Sequence, residues 1–382
     1  MTFLRIILLW VAGLCAAAQF AKVSVFFPLL EALYPDVGAS AGFLVSIISF
    51  MGVVVGLTAG PLSAHIGMRR LIVWALVLGG ALSFVQMLFP PFQLMLGLRV
   101  LEGLSHLAIV VVAPTLILQV TPEGWRGAAM TLWGTFFGVA FAATALVGSP
   151  IIEAYGLQGL FAAHGVFMLV TGLALSVALK GLFPVQAADD VPGLVSLMRQ
   201  HVCVYASPRV AAPALGWLFY TFTFVAALTV LPSFIDPQWR LFAVAVMPIA
   251  SILVSLSLGV IALRYMSAVS LILVGFVLSI GVASLIALQG ASAFLAIALL
   301  GTLGLVQGSS FAAIGELVEA PADRANASGA MAQMGNLGNL LGTPVFLAAA
   351  SWNGLSGITA AMVIAYMAGI AMHLWSAQRR CG

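Results

Sequence analysis

Long apolar runs alternate with short polar breaks along the whole chain. Runs fall at 4–30, 41–60, 71–89, 93–118, 128–149, 158–179, 209–231, 240–262, 266–288, 292–315, 327–349 and 355–376. A helix crosses a hydrocarbon core of about 30 Å with about 20 residues. Strands of a membrane barrel would instead read as segments of about ten residues with alternating polarity. The pattern therefore predicts an all-α membrane protein with twelve transmembrane helices. Ala16-Ala17-Ala18 resembles a signal-peptide cleavage site, but the apolar run continues through Val23 to Leu30. A first spanning helix kept in the mature protein is the better reading.

The longest polar stretch, Gly181 to Pro208, contains Asp189, Asp190, Arg199 and His201 and separates the sixth run from the seventh. It predicts a six-helix half at 1–180, a cytoplasmic linker at 181–208 and a second six-helix half at 209–382. Basic residues set the orientation. With the N-terminus inside, eleven of the fourteen bases lie in inside segments, among them Arg5, Arg69, Arg70, Arg126, Lys180, Arg209, Arg324 and Arg380. The outside loops hold Arg240 with Glu31, Asp36, Glu153 and Asp236. This bias places both termini in the cytoplasm of a multi-pass protein of the cytoplasmic (inner) membrane.

Composition sharpens this picture. The 382 residues are 63% hydrophobic and 7% charged, against roughly 25% charged in soluble domains. The net charge of +3 is spread over short loops, with no basic stripe that would fit nucleic acid. Cys15, Cys203 and Cys381 suggest neither a disulfide framework nor a metal cluster. No phosphate loop, metal-ligand spacing or Ser/His/Asp arrangement stands out, so the expectation is no cofactor, no metal and no enzyme chemistry.

The two halves look like a duplication. Gly60 in the turn after the second run corresponds to Gly259 at an offset of 199, and Arg126 corresponds to Arg324 at an offset of 198. Similar offsets at independent turns fit two parallel repeats.

The turn Gly60-Pro61-Leu62-Ser63-Ala64-His65-Ile66-Gly67-Met68-Arg69-Arg70 joins the second and third runs. It resembles the loop between spans 2 and 3 of the major facilitator superfamily, which reads Gly-x-Leu-Ala-Asp-Arg-x-Gly-Arg-Lys/Arg. Gly60, Leu62, Gly67, Arg69 and Arg70 match. Ala64 replaces the acidic residue that helps latch the cytoplasmic side in that family, and His65 stands where a base is usual. Leu98-Arg99-Val100-Leu101-Glu102-Gly103 resembles the family's span 4 signature Arg-x-x-Gln-Gly, with Glu102 in the Gln position. The resemblance implies two six-helix halves that rock about a midplane site. Gly60, Gly67, Arg69, Arg70, Arg126 and Arg324 would then belong to gating turns.

Charged side chains inside a bilayer normally face a protein interior or a water-filled cavity. Arg99, Glu102 and His106 share one face of the fourth span. The helical rise brings Lys22 of the first span to the same outer half of the bilayer. Three readings stand side by side. Arg99 and Glu102 are a self-neutralising structural pair; or Glu102 is the protonatable group of a proton-coupled cycle; or Lys22 and Arg99 bind a substrate anion while Glu102 cancels one charge. His106 would extend a proton path, and His164 has no evident partner. Gln19 lies near Lys22, and Gln307, Gln333, Asn336 and Asn339 are amides that suit either a polar solute or helix–helix bonding.

The expected function is a secondary active transporter working by alternating access. It would be coupled to protons, act as a monomer among membrane lipids, and carry a small organic anion or polar metabolite. The alternatives are an exporter of hydrophobic or cationic drugs by proton antiport, and a non-transporting sensor or scaffold with a transporter fold.

Overall fold

The computed structural model describes residues 2–57, 59, 63, 66–182 and 194–381. Among them the regular structure is helical, with no strand. In a bilayer every backbone polar group must be satisfied within the segment, and the helix does this.

Among the described residues, ten apolar helical runs are long enough to span a membrane. Three of them contain a break: Gly38 (φ 54°) near the start of Pro35–Val55, Gly156 (φ 67°) in Phe136–Ala178 and Asn353-Gly354 in Pro321–Cys381. The last two runs are long enough for two spans each, and counting them so gives the expected twelve. They are α1 (Thr2–Ser24), α2 (Pro35–Val55), α3 (Met68–Gln86), α4 (Phe92–Val120), α5 (126–155) and α6 (157–178), then α7 (Ala211–Phe234), α8 (Pro237–Ala262), α9 (Ala268–Gln289), α10 (Ala293–Leu317), α11 (321–352) and α12 (355–381). A linker helix, Leu194–Ala206, precedes α7.

The first span is shorter than its apolar run. α1 ends at Ser24, and Phe27–Glu31 forms a separate short helix with Pro28 in its first turn. Proline has no N–H to continue the ladder, so the run breaks there.

Packing divides the chain into two compact units, Met1–Pro35 with Thr58–Pro192, and Asp36–Leu57 with Gly193–Gly382. The division does not run in chain order, since Asp36–Leu57, which holds most of α2, packs with the second unit. The reason is local. A Cβ on Gly42 would lie 2.7 Å from the Pro344 backbone, and one on Gly52 would lie 2.2 Å from the Asn336 side chain. Glycine alone lets α2 lie this close to α11.

In the first unit an apolar floor is built from Leu9, Ala12, Ile72, Leu76, Val112, Leu116 and Leu175, on α1, α3, α4 and α6. The opposite face of α6 is exposed at Val170, Leu173 and Val177, as a lipid-facing surface requires. The aromatic stripe of α5 turns inward: Trp133 and Phe141 are buried, and Phe137 lies 5.9 Å from Phe20 of α1 between ring centroids.

Of the turn residues, Gly60, Pro61, Leu62, Ala64 and His65 lie outside the described residues, as do Asp189 and Asp190 of the linker. Gly67 adopts φ 95° just before α3, a conformation that favours glycine. Arg69 donates to the Ser176 carbonyl and Arg5 to the Ala178 carbonyl, each at 3.0 Å. Both arginines thus cap the C-terminal end of α6, where carbonyls lack helical partners and the helix dipole favours a cation. Arg70 and Arg126 are exposed, and Arg324 donates to the Val318 carbonyl at 2.7 Å.

Candidate functional site

Four helices of the first unit each supply two polar or aromatic residues three apart, one helical turn facing the bundle axis. These are Gln19 and Lys22 on α1, Ser83 and Gln86 on α3, Arg99 and Glu102 on α4, and Phe161 and His164 on α6. Close approach of α3 and α6 makes the meeting of their side chains possible. A Cβ on Gly80 would lie 3.0 Å from the Gly165 carbonyl oxygen, and one on Gly165 would lie 3.1 Å from that of Gly80. Side chains at these two positions would push Ser83 and His164 apart.

Glu102 is the hub. One carboxylate oxygen, Oε1, accepts from Lys22 Nζ at 2.8 Å. The other accepts from Arg99 Nη1 at 2.5 Å and from Gln86 Nε2 at 2.7 Å. Lys22 spends its three N–H bonds on Glu102, on Gln86 Oε1 at 2.8 Å and on Ser83 Oγ at 3.0 Å. Its ammonium also lies 4.7 Å from the centre of the Phe161 ring, within cation–π range. Arg99 donates to the Gln19 carbonyl at 2.8 Å. Gln19 in turn donates through Nε2 to Ser105 Oγ at 3.0 Å, and Ser105 donates to the Ala75 carbonyl.

His164 stands on the far side of Lys22. Its Nδ1 lies 3.0 Å from Ser83 Oγ and 3.4 Å from Lys22 Nζ, and its Nε2 lies 3.2 Å from the Cys15 carbonyl. His106 lies one turn further along α4. It turns Nδ1 to the Ala16 carbonyl at 3.0 Å and its ring edge to Phe20.

The cluster is sealed. Gln19, Ser83, Gln86, Arg99 and Glu102 are wholly buried, and Lys22 is 2% exposed. Two cations and one carboxylate leave a net charge of +1 in the interior of the bundle. Isolated charges cannot persist there, which explains why each of the three is tied to the others and to neutral amides and hydroxyls.

The structure thus brings together Lys22, Arg99, Glu102 and Gln19, with His106 beside them. It places Gln307, Gln333 and Asn336 in the second unit. Gln307 accepts from Ser251 at 3.2 Å across α8 and α10. Asn336 donates back to the Ala332 carbonyl of its own helix. Gln333 holds three partners. It donates to the Val53 carbonyl of α2 at 2.7 Å, accepts from Tyr205 of the linker helix at 2.8 Å, and lies 3.3 Å from His201 Nε2. In this conformation Gln307 and Gln333 make contacts of the helix–helix kind, and Asn336 bonds within its own helix.

Ser83, Gln86 and His164 were missed as site residues by sequence reasoning. The first two stand three apart at the end of the apolar run of α3 that follows Arg69 and Arg70, a pattern that marks one inward face. His164 has no sequence neighbour of its kind, because its partners come from α1 and α3.

The chain is thus a multi-span helical membrane protein with charges buried inside one bundle. A sequence profile of the Major Facilitator Superfamily matches residues 9–343, and the chain belongs to that family of transporters. The 4-hydroxybenzoate transporter PcaK of Pseudomonas putida is 31% identical over 140 residues, 36% of this chain and 31% of that protein. PcaK of Pseudomonas aeruginosa is 29% identical over 150 residues, 38% of this chain and 34% of that one. The chain thus spans about a third of the length of the curated relatives it matches. Its fold is similar to a bacterial homolog of the human lysosomal transporter Spinster, solved in an inward-facing, unoccupied conformation. The TM-score is 0.74 over 99% of this chain and 96% of that one, at 14% identity.

Proposed function

We propose that this transporter carries a small organic anion across the cytoplasmic membrane, as a single chain with both termini inside, and that protons drive it. The observation that supports this reading is the charge balance of the sealed cluster. Lys22 and Arg99 share the carboxylate of Glu102, so these three side chains sum to +1. A substrate carboxylate completes the balance by taking over one of the two cations. Lys22 is the natural one to change partner, because its ammonium is a point charge on a flexible stem, whereas Arg99 is fixed by Glu102 and the Gln19 carbonyl. Glu102 serves as the internal counter-ion that keeps the pair buried between turnovers. The relatives' names, with an aromatic carboxylate as cargo, agree with an anion. A cationic drug finds no open carboxylate here, since both oxygens of Glu102 are taken by protein donors. The cytoplasmic turns at Arg70, Arg126 and Arg324 gate the inner side.

A thermal-stability screen of the purified protein tests this reading. A ligand that binds the folded state alone adds about 2.7 kcal/mol at 100 times its dissociation constant. Aromatic and aliphatic carboxylates are expected to stabilise the wild type and not Lys22→Met. Stabilisation by lipophilic cations alone would reject the anion reading.

A further inference from the structure

Counting hydrogens around Ser83 singles out one nitrogen of the bundle. A carbonyl oxygen can only accept, so the 3.2 Å contact to Cys15 requires the hydrogen of a neutral His164 to be on Nε2. Nδ1 is then a bare lone pair, 3.0 Å from Ser83 Oγ. Lys22 Nζ reaches it only at 3.4 Å, longer than the 2.8–3.0 Å at which the same ammonium meets Glu102, Gln86 and Ser83. That leaves the Ser83 hydroxyl with one hydrogen and two acceptors, His164 Nδ1 and the Phe161 carbonyl at 2.8 Å. The five contacts of 3.0 Å or less around Lys22 and Ser83 share four hydrogens, three from Lys22 and one from Ser83. A proton added to His164 Nδ1 supplies the fifth: the imidazolium donates to Ser83 and to Cys15, and the Ser83 hydroxyl turns to Phe161.

Glu102 offers no comparable place. Its oxygens accept from three donors, and protonating it would leave Lys22 and Arg99 buried without a counter-charge. The titratable and charged groups around His164 are Lys22 and Cys15 of α1 and Arg99 and Glu102 of α4; α3 contributes the neutral Ser83 and Gln86. Their net charge of +1 decides when the proton can bind. Without an anion, a protonated His164 raises the sum to +2 in a buried site. With one carboxylate added, the sum falls to zero and the proton returns it to +1.

We propose that His164 Nδ1 is the site that takes up the coupling proton, and that it does so together with the anion held by Lys22 and Arg99. The inference rests on the organic-anion reading and names the group that couples it to protons. One proton passes from hydronium to the Nδ1 lone pair when the site is open to solution, and it leaves the same way on the other side. Binding linkage is reciprocal, so the anion raises proton affinity and the proton raises anion affinity by the same factor.

Two measurements on the purified full-length protein test this. The first needs no ligand: nitrogen-15 imidazole spectra, with the His164 signals assigned by their loss in His164→Gln. The neutral tautomer carrying hydrogen on Nε2 is expected; hydrogen on Nδ1 overturns the proposal. The second is the affinity for 4-hydroxybenzoate and benzoate from about pH 8 down to about pH 6, where carboxylates of ordinary pKa stay ionised. Uptake of one proton per anion makes wild-type affinity rise about tenfold per pH unit. In His164→Gln the profile is expected to be flat, and the readout is the slope within each protein rather than its affinity at any one pH. A slope that persists in His164→Gln overturns the assignment while leaving anion binding intact. Absence of carboxylate binding by the wild type at every pH instead defeats the anion reading, and the coupling with it.

Discussion

The two units solve the problem of polar groups in a membrane differently. In the first, three buried charges are gathered into one network and bonded to one another and to Gln86, Ser83 and the Gln19 carbonyl. In the second, the buried polar groups are neutral and dispersed. Thr223, Thr229, Ser279, Ser309 and Ser310 each bond back to a carbonyl of their own helix. Close helix contact there relies on glycine: a Cβ on Gly338 would lie 2.2 Å from Thr221 Oγ1, and one on Gly342 would lie 2.1 Å from the Phe222 carbonyl. Of the nine buried side-chain atoms without a hydrogen-bond partner among the described residues, seven are in the second unit, on Ser46, Ser49, Asn339, Thr343, Tyr366 and His373. Neutral groups can be left unsatisfied at a cost of about 1–3 kcal/mol each, whereas an unpaired buried charge costs several times that. Charge therefore demands a dedicated, closed network.

The contrast can be broken most severely at its hub. Glu102→Ala leaves two buried cations without a carboxylate and is expected to cost about 3–5 kcal/mol, read as a large fall in melting temperature in detergent. Gly165→Leu is next. It forces α6 away from α3, and overpacking of this kind costs about 1–3 kcal/mol; the measured melting temperature should fall, and carboxylate binding should fail because Ser83 and His164 separate. Gln333→Leu strips the Val53 carbonyl and the Tyr205 hydroxyl of their shared partner, with an expected loss of about 1 kcal/mol. Limited proteolysis should then cut the linker helix faster. Gln307→Leu removes one interhelical bond in the second unit, worth about 0.6 kcal/mol on average. Its melting temperature should stay near that of the wild type, and a fall as large as that of Glu102→Ala would erase the distinction between the units.

Most of the fold was legible in the sequence because membrane helices announce themselves by length and hydropathy. The twelve runs appear as helices, and the breaks at Gly156 and Asn353-Gly354 fall between predicted runs. α2 was the exception in packing. Its membership in the second unit depends on Gly42 and Gly52 meeting α11, more than 280 residues away in the chain, and no local pattern reveals that. At the site, Lys22, Arg99 and Glu102 were legible because charges inside spans are rare and costly, and helical rise puts them at one depth. Ser83, Gln86 and His164 were not, since neutral hydrogen-bonding groups are common in spans and acquire meaning only from what faces them. Gln333 was visible as a polar residue, yet its partners on α2 and the linker helix were not.

The central claim is that the cations of the first unit recognise an anionic solute. Uptake of 4-hydroxybenzoate and benzoate into proteoliposomes, compared between wild type, Lys22→Met and Ser310→Ala, tests it most directly. Saturable uptake that is lost in Lys22→Met and kept in Ser310→Ala is the expected result. Uptake by Lys22→Met with wild-type kinetics would contradict the claim and return the buried cluster to a purely structural role.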